Sequence, residues 1–207
     1  MIDISILKSH VAYASVCYLI SSGDNYAVVD PSVSFEMALK LRFIKPQTVK
    51  YIIITHAHFD HILEIDSWVK ATGAKVLIGE ADRCALSDSV RNCYSLFLGS
   101  SSGYFGDSYP LSDNTSIPLG DDFIKVISLP GHTPGGIGLY FDGYLIVGDT
   151  VFASGFGRYD LPGGDIDALR GSIKRVLSYP QDTFVLPGHG NGAPLSTIIK
   201  YFSTFNL

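Results

Sequence analysis

The chain has 207 residues, of which 46% are hydrophobic and 17% charged, a composition typical of a compact globular protein and not of a disordered one. A formal net charge of −5 argues against nucleic acid or an anionic membrane as a partner, because proteins bind such surfaces through basic patches. No apolar run is long enough to span a membrane, and the N-terminus lacks the pattern of a signal peptide. Since the three cysteines form no CxxC pair, we expect a reduced, cytoplasmic protein.

The first part of the chain alternates between predicted strands and helices. Strands are predicted at 14–22, 26–30, 49–55 and 74–79, and helices at 34–44 and 64–73. Turn-forming residues separate the first two strands, and Gly73 is expected to end the second helix. This order of elements is typical of a layered α/β domain.

The segment 91–116 interrupts this order. It is rich in Gly, Ser and aromatic residues and lacks a steady period, which is compatible with an irregular surface loop and with a lid over a pocket. Beyond it, strands are predicted at 123–130, 136–141, 144–149 and 182–188, and helices at 165–179 and 194–202. No linker divides the chain, so residues 1–207 are expected to form a single domain.

Five of the six histidines follow predicted strands, in the motifs THAHFDH, LPGHTPGG and LPGHG, and an aspartate ends the strand YLIVGD. The residues at these strand ends are His56, His58, Asp60, His61, His132, Asp149 and His189. The sixth histidine, His10, is interpreted as a structural or surface residue. Packing alone explains such a pattern poorly, so we predict a metal site where these loops converge.

The spacing within THAHFDH supports a metal site. Residues two apart in an extended segment point the same way, so His56 and His58 can hold one ion together. Asp60 and His61 follow in the turn, where they can serve a second ion or orient the ligands of the first. Seven candidate ligands suit two ions that share a bridging carboxylate. Imidazole and carboxylate ligands favour zinc, and iron or manganese stays open.

The four motifs together resemble those of the metallo-β-lactamase superfamily. The resemblance implies a four-layer αββα sandwich, in which two mixed sheets face each other with helices outside. It also implies that His56, His58 and His132 bind one metal, that Asp60, His61 and His189 bind the second, and that Asp149 bridges them.

The segment GFGRYDLPGGD at 155–165 is similar to that of short glyoxalase II-like hydrolases. This resemblance implies hydrolysis of a hydroxyacyl thioester by a hydroxide that bridges the metals, with Asp60 helping to hold the nucleophile. Full-length glyoxalase II carries a C-terminal helical domain, which this chain is expected to lack. Arg158 is a candidate for binding a substrate carboxylate, or else braces its loop.

Other reactions on the same fold remain open. A persulfide dioxygenase would use one Fe(II) held by His56, His132 and Asp149, and a lactonase or other ester hydrolase would differ only in its pocket. The net negative charge of the chain argues against a nuclease. Two complete sets of metal ligands argue against a binding module without catalytic activity. The expected partner is therefore a small thioester, with no nucleic acid and no membrane, while the oligomeric state cannot be read from the sequence.

Overall fold

The computed structural model describes residues 1–42 and 44–204. The strands are β1 Asp3–Leu7, β2 Cys17–Ser22, β3 Asn25–Val29, β4 Val49–Ile54, β5 Lys75–Gly79, β6 Ser108–Leu111, β7 Ser116–Leu119, β8 Asp122–Ser128, β9 Ile137–Phe141, β10 Tyr144–Gly148, β11 Val151–Phe152, β12 Gly155–Phe156, β13 Phe184–Pro187 and β14 Ala193–Pro194. The helices are α1 Phe35–Arg42, α2 Ile65–Thr72, α3 Tyr94–Leu98, α4 Ile166–Leu177 and α5 Leu195–Phe202, with 3-10 turns at Pro46–Thr48, Phe59–His61 and Glu80–Ser87.

Most of the strands form two six-stranded mixed sheets. The first has the order β1-β2-β3-β4-β5-β6, antiparallel up to β3 and parallel from β3 to β6. The second has the order β14-β13-β10-β9-β8-β7, in which only β10 and β13 are parallel neighbours. The remaining strands, β11 and β12, form a small ribbon of their own.

Buried side chains divide the molecule into layers. Strand β4 shows how this arises, because three consecutive isoleucines are fully buried on its two faces. Ile53 belongs to the cluster between the sheets, whereas Ile52 and Ile54 pack in the cluster that contains Trp68 of α2. On the far side of the second sheet, a third cluster joins β10 and β13 to α4 and α5. The four-layer αββα sandwich is therefore confirmed.

The predicted elements are present with small shifts at their ends. Asp165 caps α4, where its side chain accepts hydrogen bonds from the backbone N–H groups of Asp167 and Ala168. Gly73 ends α2 in the left-handed conformation, as predicted. The predicted helix 34–44 corresponds to α1, and residue 43 lies outside the described residues.

Six of the described strands were not predicted: β1 and β6 lie at the ends of the first sheet, β7 and β14 lie at the ends of the second, and β11 and β12 form the small ribbon. Strand β6 falls inside the segment 91–116, which we had interpreted as irregular. It contains Pro110, and only Leu111 of its four residues is buried, so it lacks the alternating pattern of a half-buried strand. Strand β1 likewise buries only one residue, Leu7. Edge strands with so little buried surface leave a weak pattern in the sequence.

Within the described parts of the chain, no helix is both long and apolar enough to cross a bilayer. The three cysteines are free thiols, of which Cys17 and Cys93 are buried and Cys84 is exposed.

Candidate metal centre

The predicted ligands lie at the carboxyl ends of four strands. In the second sheet, β8, β10 and β13 run in one direction, because β9 is antiparallel to both β8 and β10, while β13 is parallel to β10. Their carboxyl ends therefore lie at one edge, from which His132, Asp149 and His189 project. The motif THAHFDH follows β4 of the first sheet, and Asp60 and His61 belong to the 3-10 turn Phe59–His61.

All seven predicted residues are brought together. Their candidate ligand atoms fall into groups, in each of which the atoms lie within 4.8 Å of one another. One group contains His56, His58 and His132, and a second contains Asp60, His61 and His189. We call these the three-histidine half and the carboxylate half. A further group of His56, His61 and Asp149 connects the two halves.

Hydrogen bonds at Nδ1 orient three of the histidine rings so that the other ring nitrogen, Nε2, faces the centre. Nδ1 of His61 lies 2.8 Å from Oδ2 of Asp30, and Nδ1 of His132 lies 2.6 Å from the carbonyl oxygen of Arg158. Both partners are acceptors, so each Nδ1 carries the proton. The Thr55 hydroxyl donates to Asp30 at 2.7 Å and can therefore only accept from Nδ1 of His56, at 3.2 Å. In all three rings, Nε2 is the nitrogen left to face the centre, where it can bind a metal ion once it carries no proton.

Several buried polar atoms of the site have no hydrogen-bond partner within the described structure. They are Nε2 of His56, His58 and His61, and Oδ1 of Asp149. Leaving such atoms unpaired costs free energy, on the order of 1–3 kcal/mol for each neutral group. A metal ion satisfies lone pairs of this kind, and nitrogen and oxygen donors suit divalent transition metals. The residues therefore fit a metal centre.

Asp149 lies between the two halves. Its Oδ2 is 3.8 Å from Nε2 of His132 in the three-histidine half and 3.6 Å from Nε2 of His189 in the carboxylate half. Its Oδ1 is 3.6 Å from Nε2 of His61. The carboxylate thus faces ligands of both halves at separations that leave room for an ion.

Charges in the two halves shift pKa values in opposite directions. Burial, reinforced by neighbouring histidines, lowers the pKa of His56 well below its usual range, and the same causes lower the pKa of His58 to about 3. For His61 and His189, burial acts in the same direction, but nearby carboxylates outweigh it and raise both pKa values. Burial favours protonation of Asp149, yet the surrounding histidines, first of them His61, hold the pKa of its carboxyl below the usual range. His56 and His58 are therefore neutral imidazoles, whereas the ionised carboxylates favour protonated imidazoles at His61 and His189.

Asp30 also supports the centre, although it is not among the predicted ligands, since an aspartate at the end of a strand is commonly a turn former. It does occupy a turn, with a φ of 50°, but its carboxylate is fully buried. Oδ1 accepts from the Thr55 backbone N–H at 2.7 Å, and Oδ2 accepts from the Thr55 hydroxyl and from His61. Asp30 thus orients rings of both halves. The available signal was its place at the end of β3, beside β4.

The glycine of the motif LPGHG is required by close packing. A Cβ on Gly188 would collide with Oδ1 of Asp149 and would lie 2.6 Å from Cε1 of His61. Its backbone also joins two strand ends, since the Gly188 N–H donates to the carbonyl oxygen of Gly148 at 2.7 Å. Any larger residue would therefore displace ligands of the metal centre.

Arg158 lies beside the centre, and its backbone and side chain act differently. Its carbonyl oxygen orients His132, whereas its guanidinium forms two hydrogen bonds of 2.9 Å with Asp160. The guanidinium carbon is also 5.8 Å from the ring centroid of Phe97. The side chain is 53% exposed, so it is accessible to a ligand that competes with Asp160.

The segment after residue 91 lies against the metal-binding turn. The backbone N–H of Phe59 donates to the carbonyl oxygen of Asn92 at 2.8 Å. The ring of Phe97 in α3 stacks on that of Phe59, with centroids 5.5 Å apart. This part of the segment is therefore a wall of the centre, and half of the Phe97 side chain faces solvent.

Comparison with known proteins agrees with this architecture. The sequence pattern of the metallo-beta-lactamase superfamily matches residues 11–189. An uncharacterised protein of Aquifex aeolicus is 33% identical over 165 residues, which cover 78% of this chain and 77% of the relative. The hydroxyacylglutathione hydrolase GloC of Haemophilus influenzae is 26% identical over 185 residues, 87% of each chain.

Solved structures are similar over nearly the whole length. BLEG-1, a B3 metallo-beta-lactamase, superposes with a TM-score of 0.86 at 27% identity, covering 97% of both chains. TTHA1623, solved in a di-iron-bound form, superposes with a TM-score of 0.82 at 30% identity, covering 96% of this chain and 98% of that one.

Proposed function

The chain belongs to the metallo-beta-lactamase superfamily, and we propose that it is a hydrolase which cleaves a small hydroxyacyl thioester with the help of two divalent metal ions. The observation that carries the proposal is the pair of convergent ligand groups on either side of Asp149. In this proposal, His56, His58 and His132 hold one ion, Asp60, His61 and His189 hold the other, and Asp149 bridges them.

Two bound ions would lower the pKa of a water molecule and polarise the carbonyl group that it attacks. Asp60 is suited to orient the attacking water, since it belongs to the centre and 12% of its side chain remains exposed. Its Oδ2 lies 2.9 Å from Nε2 of His189. Burial opposes ionisation of Asp60, but His61 and His189 outweigh it and lower the pKa of the carboxyl. Asp60 is therefore ionised at neutral pH and can accept a hydrogen bond from the nucleophile.

The side chains available to protonate a leaving group favour a thioester over an amide as the substrate. A thiolate leaves readily, because the pKa of a thiol is about 8.5, whereas an amide nitrogen must be protonated as it leaves. Five of the six histidines are in the metal centre, and the sixth, His10, is exposed on the connection between β1 and β2. The similarity to the hydroxyacylglutathione hydrolase GloC supports the same substrate class.

Zinc is the first choice for the metal, because nitrogen and carboxylate ligands suit it, although the di-iron form of TTHA1623 keeps iron in consideration. The proposed partner is a small molecule, with neither nucleic acid nor membrane involved, in a cytoplasmic setting where free thiols persist. Arg158 is proposed to bind a carboxylate of the substrate by exchanging Asp160 for it.

Elemental analysis of the purified protein, combined with an assay on S-lactoylglutathione, tests the proposal. We expect about two metal ions per chain, as in known two-metal hydrolases, together with release of free thiol. The same preparation should be offered glutathione persulfide while oxygen is recorded, and a chromogenic β-lactam while ring opening is recorded. One iron per chain with oxygen consumption and no thiol release would replace the proposal with persulfide dioxygenase activity. Ring opening alone would replace it with amide hydrolysis.

A further inference from the structure

Asp82 is a buried carboxylate outside every motif that points to metal binding. It lies in the 3-10 turn Glu80–Ser87 that follows β5, and only 1% of the residue is exposed. Burial raises the pKa of its carboxyl, while its hydrogen bonds oppose that shift. Burying a carboxylate costs free energy unless hydrogen bonds or an opposite charge compensate it. Its position therefore needs an explanation.

The carboxylate of Asp82 joins the two loops that carry the three-histidine half. Oδ2 accepts from the backbone N–H of Ala57, which lies between His56 and His58, at 3.1 Å. The same oxygen accepts from the hydroxyl of Thr133, the neighbour of His132, at 2.8 Å. Oδ1 accepts from the backbone N–H of Gly135 at 2.7 Å. One side chain thus connects the loop after β4 to the loop after β8.

Close packing keeps these loops in contact with Asp82. A Cβ on Gly135 would lie 2.7 Å from both Cβ and Oδ1 of Asp82. A Cβ on Gly79, at the end of β5, would collide with the carbonyl oxygen of Gly135. The two glycines therefore allow the loop after β8 to approach the turn of Asp82 closely enough for hydrogen bonding.

We propose that Asp82 is a positioning residue for the three-histidine half: it fixes the loop of His58 against the loop of His132 and thereby sets the metal affinity of that half alone. This inference rests on the proposed metal role of the three histidines but not on the reaction catalysed. Nδ1 of His58 and Nε2 of His132 lie 2.9 Å apart, so a small shift of either loop changes the space offered to an ion. None of these three hydrogen bonds of Asp82 reaches a residue of the carboxylate half.

Two backgrounds separate this role from a general effect on folding. The double variant D60A/H189A keeps the three-histidine half, and the double variant H58A/H132A keeps the carboxylate half, with Asp60, His61 and His189 all present. Asp82→Asn preserves volume but replaces one acceptor oxygen by an N–H donor that faces other donors. Zinc affinity is measured in each background, with and without D82N, by competition with a chromophoric chelator.

We expect D82N to lower zinc affinity about 10–100-fold in the background that keeps the three-histidine half, as is typical when a residue that orients metal ligands is changed. In the H58A/H132A background, zinc affinity should change by less than about threefold, which corresponds to less free energy than a typical hydrogen bond contributes. Equal losses in both backgrounds, or no loss in the first, would overturn the proposal. The readout is zinc affinity, so a failure of the thioesterase proposal is recorded separately, by the absence of thiol release from the unmodified protein.

Two further variants keep the test decisive. Thr133→Val removes one of the three hydrogen bonds and serves if D82N does not fold, as judged by circular dichroism. We expect it to lower affinity about threefold to tenfold in the first background only, and equal effects in both would again overturn the proposal. Asp122→Asn is the matched control, because that carboxylate bonds the amino terminus and Ser22 and should leave both affinities unchanged.

Discussion

The two halves of the metal centre differ in how they hold protons. In the three-histidine half, burial and mutual repulsion lower the pKa of His56 and bring that of His58 to about 3, so these rings are neutral at pH 7. In the carboxylate half, Asp60 and Asp149 help to raise the pKa values of His61 and His189 despite burial. Hence the first half presents free lone pairs, whereas a metal ion must displace protons from the second.

The halves also differ in their supporting carboxylates. Asp30 bonds directly to the ring of His61 and reaches that of His56 through Thr55. Asp82 instead accepts hydrogen bonds from backbone N–H groups and from Thr133 beside the ligands. Direct support fixes the orientation and tautomer of a ring, while indirect support fixes the spacing between loops. The comparison predicts different responses of the two halves to mutation and to pH.

The largest effect is expected from Asp149→Ala, because this carboxylate faces both halves. Removing it should abolish binding of both metals and take away a negative charge that faces His61, His132 and His189. Metal content per chain after exhaustive dialysis measures the effect, with the exposed Asp167→Ala as control. Full metal occupancy in D149A would show that Asp149 does not bridge the two metal ions.

Asp30→Asn should have the next largest effect. The amide can accept only at its oxygen, so the contacts to Thr55 and His61 can no longer all be satisfied. We expect zinc affinity of the carboxylate half to fall about 10–100-fold, with a smaller loss in the three-histidine half. Chelator competition in the two double-variant backgrounds measures both values. A larger loss of zinc affinity in the three-histidine half would show that Asp30 mainly supports that half instead.

Lowering the pH should weaken the carboxylate half selectively. His61 and His189 have raised pKa values, so below those values each carries a proton that metal binding must release. Affinity of the carboxylate half should therefore fall by up to about tenfold per pH unit for each such proton, more steeply than that of the three-histidine half, in which His56 and His58 have no proton to release. Calorimetry in buffers of different ionisation enthalpy counts the released protons. Identical counts for both halves would contradict the difference in pKa.

The smallest effect is expected from Arg158→Gln. The backbone carbonyl that orients His132 is retained, so metal content should not change. If the guanidinium binds a substrate carboxylate, KM for a carboxylate-bearing thioester should rise about threefold to tenfold while kcat changes little. The exposed pair with Asp160 contributes little to stability, so thermal unfolding should be unaffected. An unchanged KM would leave Arg158 as a brace of its loop.

Local patterns were enough to predict the candidate ligands and a layered α/β domain, while the four-layer fold was implied by the resemblance of the motifs to the metallo-β-lactamase superfamily. Apolar runs that end in His or Asp mark strands whose ends carry polar groups, and the i, i+2 spacing of His56 and His58 is a property of the extended chain. The helix ends at Asp165 and Gly73 were predictable for the same reason, since capping depends on neighbouring residues. Edge strands β1 and β6 were missed because they bury little surface.

The sequence by itself determined which residues could bind metal, because ligand type and local spacing are written along the chain. Only the tertiary structure decided which residues hold those ligands in place. Asp30 meets His61 because β3 and β4 are parallel neighbours, and Asp82 meets Thr133 because two loops from different sheets pack together. These pairs are 31 and 51 positions apart along the chain. No local periodicity encodes such contacts, since they depend on strand order and packing between layers.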